Sequence, residues 1–135
     1  MTDALTLGIG CDRGTSLETL ETAVEQALAA TGKTIDQVQQ LATIDKKQDE
    51  AGILQLAEKN AWPLYFFSAE QLSRVEVPSP SAVVLKYMGT PSVSEAAAIL
   101  AARTDQSDLL LEKYKYRGTD NKNATVSIVR MRKTV

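Results

Sequence analysis

The 135-residue sequence has no histidine, one cysteine, and only one tryptophan, four tyrosines and two phenylalanines. Each shortage excludes something. Without histidine there is no Ser-His-Asp triad, no Cys-His dyad and no imidazole-held metal site. Any acid–base chemistry falls to carboxylates, Lys, Tyr or the lone thiol. One cysteine cannot form a disulfide framework. Few aromatics leave little material for stacking on nucleic-acid bases. No apolar run approaches the roughly 20 residues that span a bilayer, and the N-terminus lacks the charged and apolar regions of a signal peptide. A chain working in a reducing cytoplasm is expected, with no membrane, nucleic-acid or metal partner and no required cofactor.

What is present fits one domain, residues 1–135. Hydrophobic residues make up 44% and charged residues 24%, ordinary values for a packed core. The net charge of −2 conceals an asymmetry. Residues 1–111 carry 8 Lys+Arg against 15 Asp+Glu, whereas residues 112–135 carry 7 against 2. Such a basic tail is either a solvated hairpin or an anion-facing strand pair.

Hydrophobic periodicity predicts alternating strands and helices. Leu5 to Cys11 reads as a buried strand, followed by a tight loop and a helix bearing Leu17, Leu20, Val24 and Leu28. Thr15 and Glu18 have capping-box spacing, and Gly32 is a natural stop. Leu41 to Ile44 is a short strand, the polar run from Asp45 to Glu50 a loop, and Ile53, Leu54, Leu56 and Ala57 mark a second helix. Pro63 to Phe67 is a third strand, with Ser68 capping a short helix through Leu72. Ser79-Pro80 suits the start of a helix containing Val83, Val84, Tyr87 and Met88. After a break at Gly89-Thr90-Pro91-Ser92, Ser92 and Glu95 repeat the capping-box pattern ahead of a further helix. Leu109 to Tyr116 and Ala124 to Met131 form a hairpin across a turn-rich loop. The expected fold is therefore three-layer α/β/α, with a mixed sheet of about five strands ending in an antiparallel hairpin.

Four places can carry chemistry. In the first, Gly10, Cys11, Arg13, Gly14 and Thr15 join a strand to a helix, the arrangement that cradles anions. Its spacing matches neither the dinucleotide fingerprint nor the P-loop. A helix N-terminus and Arg13 favour a Cys11 thiolate, though a lone cysteine also serves as a small buried hydrophobe. In the second, Thr43, Asp45 and Lys46 lie at the C-terminal end of another parallel strand, where open α/β sheets bind ligands. Asp49 either joins them or caps the next helix, and Asp45, Glu50 and Cys11 are the candidate catalytic groups. The third comprises Ser68, Ser79, Gly89, Thr90 and Ser92, each at a helix start offering donors. Lys113, Lys115 and Arg117 share one strand face opposite Tyr114 and Tyr116. They form either an anion-binding face or the charged edge that deters aggregation.

The blocks GIGCDRGTS, LATIDKKQDEAGILQLAE, YFFSAEQL, PSPS, GTPSVSEAAAIL and ATVSIVR follow one another from about Leu7 to Arg130. In that order they resemble the cobalamin-biosynthesis family formed by CobE and the C-terminal domain of CbiG. One departure is Asp12, where the family more often has a basic residue. The resemblance implies work on corrin macrocycles rich in acetate and propionate carboxylates. It implies a corrinoid or precorrin intermediate as ligand or substrate, and other cobalamin-pathway enzymes as further partners. Full-length CbiG proteins look like hydrolases that open a cobalt-precorrin lactone and release acetaldehyde. This chain matches their C-terminal portion, and so resembles a stand-alone CobE-type protein or an excised domain. Binding of a corrinoid at the strand C-termini is the expected function, with lactone hydrolysis or protein docking as the alternatives.

Overall fold

The computed structural model describes residues 3–76 and 93–131. The strands are β1 (Leu5–Cys11), β2 (Val38–Ile44), β3 (Leu64–Phe67), β4 (Leu109–Arg117) and β5 (Asn123–Arg130). The helices are α1 (Leu17–Ala30), α2 (Ala51–Lys59), α3 (Ala69–Ser73) and α4 (Val93–Ala102). The helix expected around Val83 to Met88 lies outside the described residues.

The five strands form one sheet in the order β3-β2-β1-β5-β4. β1, β2 and β3 run parallel, and β5 lies antiparallel to both β1 and β4. This is the mixed sheet with a terminal hairpin that the sequence predicts. Alternation decides what each face meets. Leu5, Leu7, Ile9, Leu41, Val126 and Ile128 pack against Leu20, Val24 and Leu28 of α1 and Ile53 and Leu56 of α2. On the other face, Ala42 and Ile44 meet Val93, Ala96 and Ala97 of α4 and Leu72 of α3, while Val129 meets Ala98 and Ile99. Each fully buried aliphatic side chain contributes roughly 1.5–3 kcal/mol.

Helix α4 sits almost directly on β1. A Cβ on Gly8 would stand 1.8 Å from the carbonyl oxygen of Ser94. The first glycine of the strand therefore admits a helix and not a ligand. Beside it, the Ser94 and Ser127 hydroxyls share a 2.8 Å hydrogen bond.

Local chemistry departs from the sequence reading in three places. β2 begins three residues before Leu41, at Val38. Gln40 is tolerated inside the sheet because its amide donates to the Thr6 hydroxyl at 2.9 Å and to the Ala101 carbonyl at 2.8 Å. The first helix is capped by Ser16, whose hydroxyl accepts from the Thr19 N–H, not by a Thr15–Glu18 box. The N-cap of α2 is Glu50, and Asp49 turns instead to Arg13. The Ser68 cap of α3 forms as expected, with Gln71 reciprocating. Glu95 is fully buried and pairs with Lys113 at 3.3 Å, while Ser92 lies outside the described residues.

Candidate functional site

Parallel strands present their C-termini along one edge, and β1 is where the sheet changes direction. Its neighbour β2 is parallel and its neighbour β5 antiparallel, so the β4–β5 turn meets the loop after β1. Three segments converge there: Gly10 to Ser16, Asp45 to Glu50, and Gly118 to Asn123. Asp12 is held by this convergence. Its carboxylate accepts from the Asn123 backbone N–H at 2.8 Å and from the Asn123 amide at 3.0 Å.

Arg13 does not wait for an anion. Its guanidinium donates to Asp49 at 2.8 and 3.2 Å and to Glu50 at 2.9 Å. The other oxygen of Glu50 accepts from the Gly14 N–H at 2.8 Å. Gly14 has a φ of 76°, a conformation glycine adopts at little cost, which aims that N–H at Glu50. These hydrogen bonds, Asp49's first, raise the pKa of Arg13, and Arg13 lowers that of Asp49. The loop's anion cradle is thus filled by the protein's own carboxylates.

The N-terminus of α1 is filled in the same way. Asp120, from the hairpin loop, accepts from the Ser16 N–H and the Lys122 N–H, both at 3.0 Å. The Ser16 contact is the leading cause that lowers Asp120 to a pKa of about 2.

Further candidates are spent inside the fold. Thr43 is fully buried and donates to the Ile9 carbonyl at 2.7 Å. Thr15 donates to the Asp12 carbonyl at 2.6 Å, and Ser68 serves its own helix. Cys11 is half-buried, and burial pushes its thiol up from the ordinary value against the opposing pull of Lys47. Of the two roles the sequence left open for Cys11, desolvation favours the buried hydrophobe over the thiolate. Lys113 is turned to Glu95 of α4 and not to this edge. Ser79, Gly89, Thr90 and Ser92 lie outside the described residues.

Gly10, Asp45 and Lys46 remain available at the edge. A Cβ on Gly10 would meet only Val93 Cγ1, at 4.0 Å, among the described residues. Asp45 is half-buried and Lys46 exposed, and neither side chain has a hydrogen-bond or ion-pair partner among the described residues. Sequence reasoning passed over Lys47. Its side chain is 5% exposed, and its ammonium donates to the Cys11 carbonyl at 2.6 Å. A lysine in a polar run reads as solvated, so nothing local marked it. A separate cavity of about 510 Å³, lined by Arg74, Ile99, Asp105 and Gln106 among others, lies near the start of β4 and away from this edge.

The fold and site define a class: an open α/β sheet whose glycine-bearing loop, charged turn and hairpin loop meet at the strand edge. The family model described as "Cobalamin synthesis G C-terminus" matches residues 5–129, and the chain belongs to that family. It is 36% identical over 124 residues to a cobalt-precorrin-5A hydrolase of Priestia megaterium, covering 92% of this chain and 31% of that protein. It is 34% identical over 100 residues to Protein CobE of a Sinorhizobium species, covering 73% of this chain and 65% of that one. The chain thus spans less than two-thirds of the length of these curated relatives. The crystal structure of CobE, a protein from the cobalamin (vitamin B12) biosynthetic pathway, superposes with a TM-score of 0.81 at 35% identity, covering 100% of this chain and 95% of that one. No helix among the described residues is long and apolar enough to cross a membrane.

Proposed function

We propose that this domain serves cobalamin biosynthesis in the cytoplasm by binding a carboxylate-bearing corrinoid or precorrin at the C-terminal edge of its parallel strands. The observation that carries this is the convergence of three loops at the β1 switch point, in a chain of the cobalamin synthesis G family. The ligand meets the surface around Gly10, Asp45 and Lys46. Arg13 and the α1 N-terminus support the loop instead of touching the ligand. The reading needs no resident cofactor, nucleic acid or membrane, and other enzymes of the pathway are its natural partners.

The name of the Priestia megaterium relative favours a second reading, hydrolysis of a precorrin lactone. Here the available carboxylate is Asp45, since Glu50 is tied to Arg13 and Gly14. The test is a visible-absorbance titration of the protein with a hydrogenobyrinic-acid-type macrocycle, beside an acetaldehyde assay on the matching precorrin. Binding without acetaldehyde release supports the first reading. Acetaldehyde release that is lost in Asp45→Asn supports the second. Neither binding nor turnover at tens of micromolar, an approximate range for a specific site, overturns both.

A further inference from the structure

The cations at this edge differ sharply in what they have left to offer. Arg13 is 60% exposed, yet its charge is matched by Asp49 and Glu50. Lys47 is the reverse. The residue is only 5% exposed, its one protein acceptor is the neutral Cys11 carbonyl, and no carboxylate lies within ion-pair distance among the described residues. An ammonium carries three N–H donors. Two of them have no protein acceptor among the described residues. Asp49 acts on Lys47 only through space, and the oxygens of Asp49 and Glu50 are engaged by Arg13 and Gly14.

Burying a charge with no opposite charge beside it is costly, and one neutral carbonyl offsets only part of that cost, so folds rarely keep such a group for stability alone. The short helical turn Asp45–Lys47 places this residue directly after β2. Its contact with Cys11 fixes the ammonium at the end of β1, one residue beyond Gly10. Cys11 is itself partly exposed, so the ammonium lies close behind the surface of the edge. Little water competes there, which strengthens attraction to an anion relative to an exposed lysine.

We propose that Lys47 is the anchor that receives a ligand carboxylate at the C-terminal edge of β1. This rests on the corrinoid-binding reading for the identity of the ligand, but not for the chemistry of the anchor. Lys46, exposed beside it, steers the ligand and contributes less. The arrangement also gives specificity. A carboxylate side arm satisfies the ammonium, whereas the same arm as a neutral amide leaves the buried charge unmatched. The domain therefore prefers the acid form of a macrocycle side arm to its amidated form.

The experiment compares wild type, Lys47→Gln, Lys47→Arg and Lys46→Gln, each first checked for a cooperative melt. Lys47→Gln keeps a donor for the Cys11 carbonyl while removing the charge. Three probes are titrated. Glutarate is followed through the amide NMR signals of Cys11 and Lys47, and hydrogenobyrinic acid and its amidated counterpart are followed by visible absorbance. Wild type is expected to prefer the acid macrocycle about 10–100-fold, the value of one charge-assisted hydrogen bond. Lys47→Gln loses that preference, Lys47→Arg retains part of it, and Lys46→Gln keeps most of it. A purely structural lysine would weaken both macrocycles equally and leave their ratio unchanged, which overturns the anchor and spares the corrinoid reading. Glutarate shifts that vanish in Lys47→Gln support the anchor even if no macrocycle binds. No glutarate shift together with no acid preference refutes it.

Discussion

The carboxylate of Asp120 accepts a hydrogen bond from the backbone N–H of Ser16, at 3.0 Å across 104 residues of sequence. The hairpin loop thereby closes over the start of α1. A helix N-terminus carries unpaired donors and a partial positive charge. In this protein the C-terminal hairpin supplies the anion. Gly118 makes the approach possible, since a Cβ there would stand 2.1 Å from the Thr19 hydroxyl.

This contact sets a pH dependence. Asp120 has a folded pKa of about 2, below the roughly 3.9 of an unfolded aspartate. A depressed carboxylate stabilises the fold in full above the unfolded value, and that stabilisation fades as pH falls through the folded value. Wild type should therefore exceed Asp120→Asn in melting temperature by a constant margin at neutral pH. The margin should shrink below about pH 4 and close only once the pH falls below about 2. A Asp120 carboxyl titrating near 4 by NMR, about the unperturbed value, would contradict this.

Glycine substitutions should separate packing from ligand approach. Gly8→Ala drives a Cβ against the Ser94 carbonyl, and Gly52→Ala puts one 2.5 Å from the Thr15 carbonyl. Neither neighbour is a movable side-chain tip, so each change should cost about 1–3 kcal/mol or more in urea unfolding. Gly10→Ala should cost less than about 1 kcal/mol, because its Cβ would make only an ordinary contact among the described residues. Equal losses at all three positions would remove the distinction.

The clasp on Arg13 is unequal. Glu50 is 5% exposed along its side chain and Asp49 is 75% exposed. Glu50→Ala strands the Gly14 N–H and should destabilise by about 2–3 kcal/mol. Asp49→Ala should cost less than about 1 kcal/mol, as expected for a solvated ion pair. Denaturant midpoints at neutral pH measure both, and the reverse order would show that the exposed pair dominates.

Cys11 should behave as a protected thiol. Burial raises its pKa, so iodoacetamide should modify it more slowly at neutral pH than it modifies free cysteine. The rate should climb only at more alkaline pH. Cys11→Ala should retain corrinoid binding, since only the backbone carbonyl meets Lys47. Rapid neutral-pH alkylation, or binding lost with the thiol, would restore a reactive role.

Much of the fold was legible because its signals are local. The apolar run Leu5–Cys11 and the three-and-four spacing from Leu17 to Leu28 mark their elements without help from the rest of the chain. The strand–loop–helix order implied parallel strands, and the turn-rich stretch after Arg117 implied the hairpin. The early start of β2 was hidden because Gln40 looks solvent-facing until Thr6 and Ala101 are placed against it.

The site was legible only as an address. Sequence alone determined that this chain has no imidazole chemistry, that it makes a mixed α/β sheet, and that glycine-bearing and charged turns follow its parallel strands. Its ordered blocks also resembled the right family. Tertiary structure decided which charges remain to be used. Arg13 was claimed by Asp49 and Glu50, 36 and 37 residues away, and the α1 N-terminus by Asp120. Burial decided between the two roles open to Cys11 and enclosed Lys47 while its neighbour Lys46 stayed exposed. The physical reason is one of range. Backbone preference and hydrophobic periodicity act over a few residues, whereas desolvation and charge pairing depend on whichever distant segments the sheet brings together.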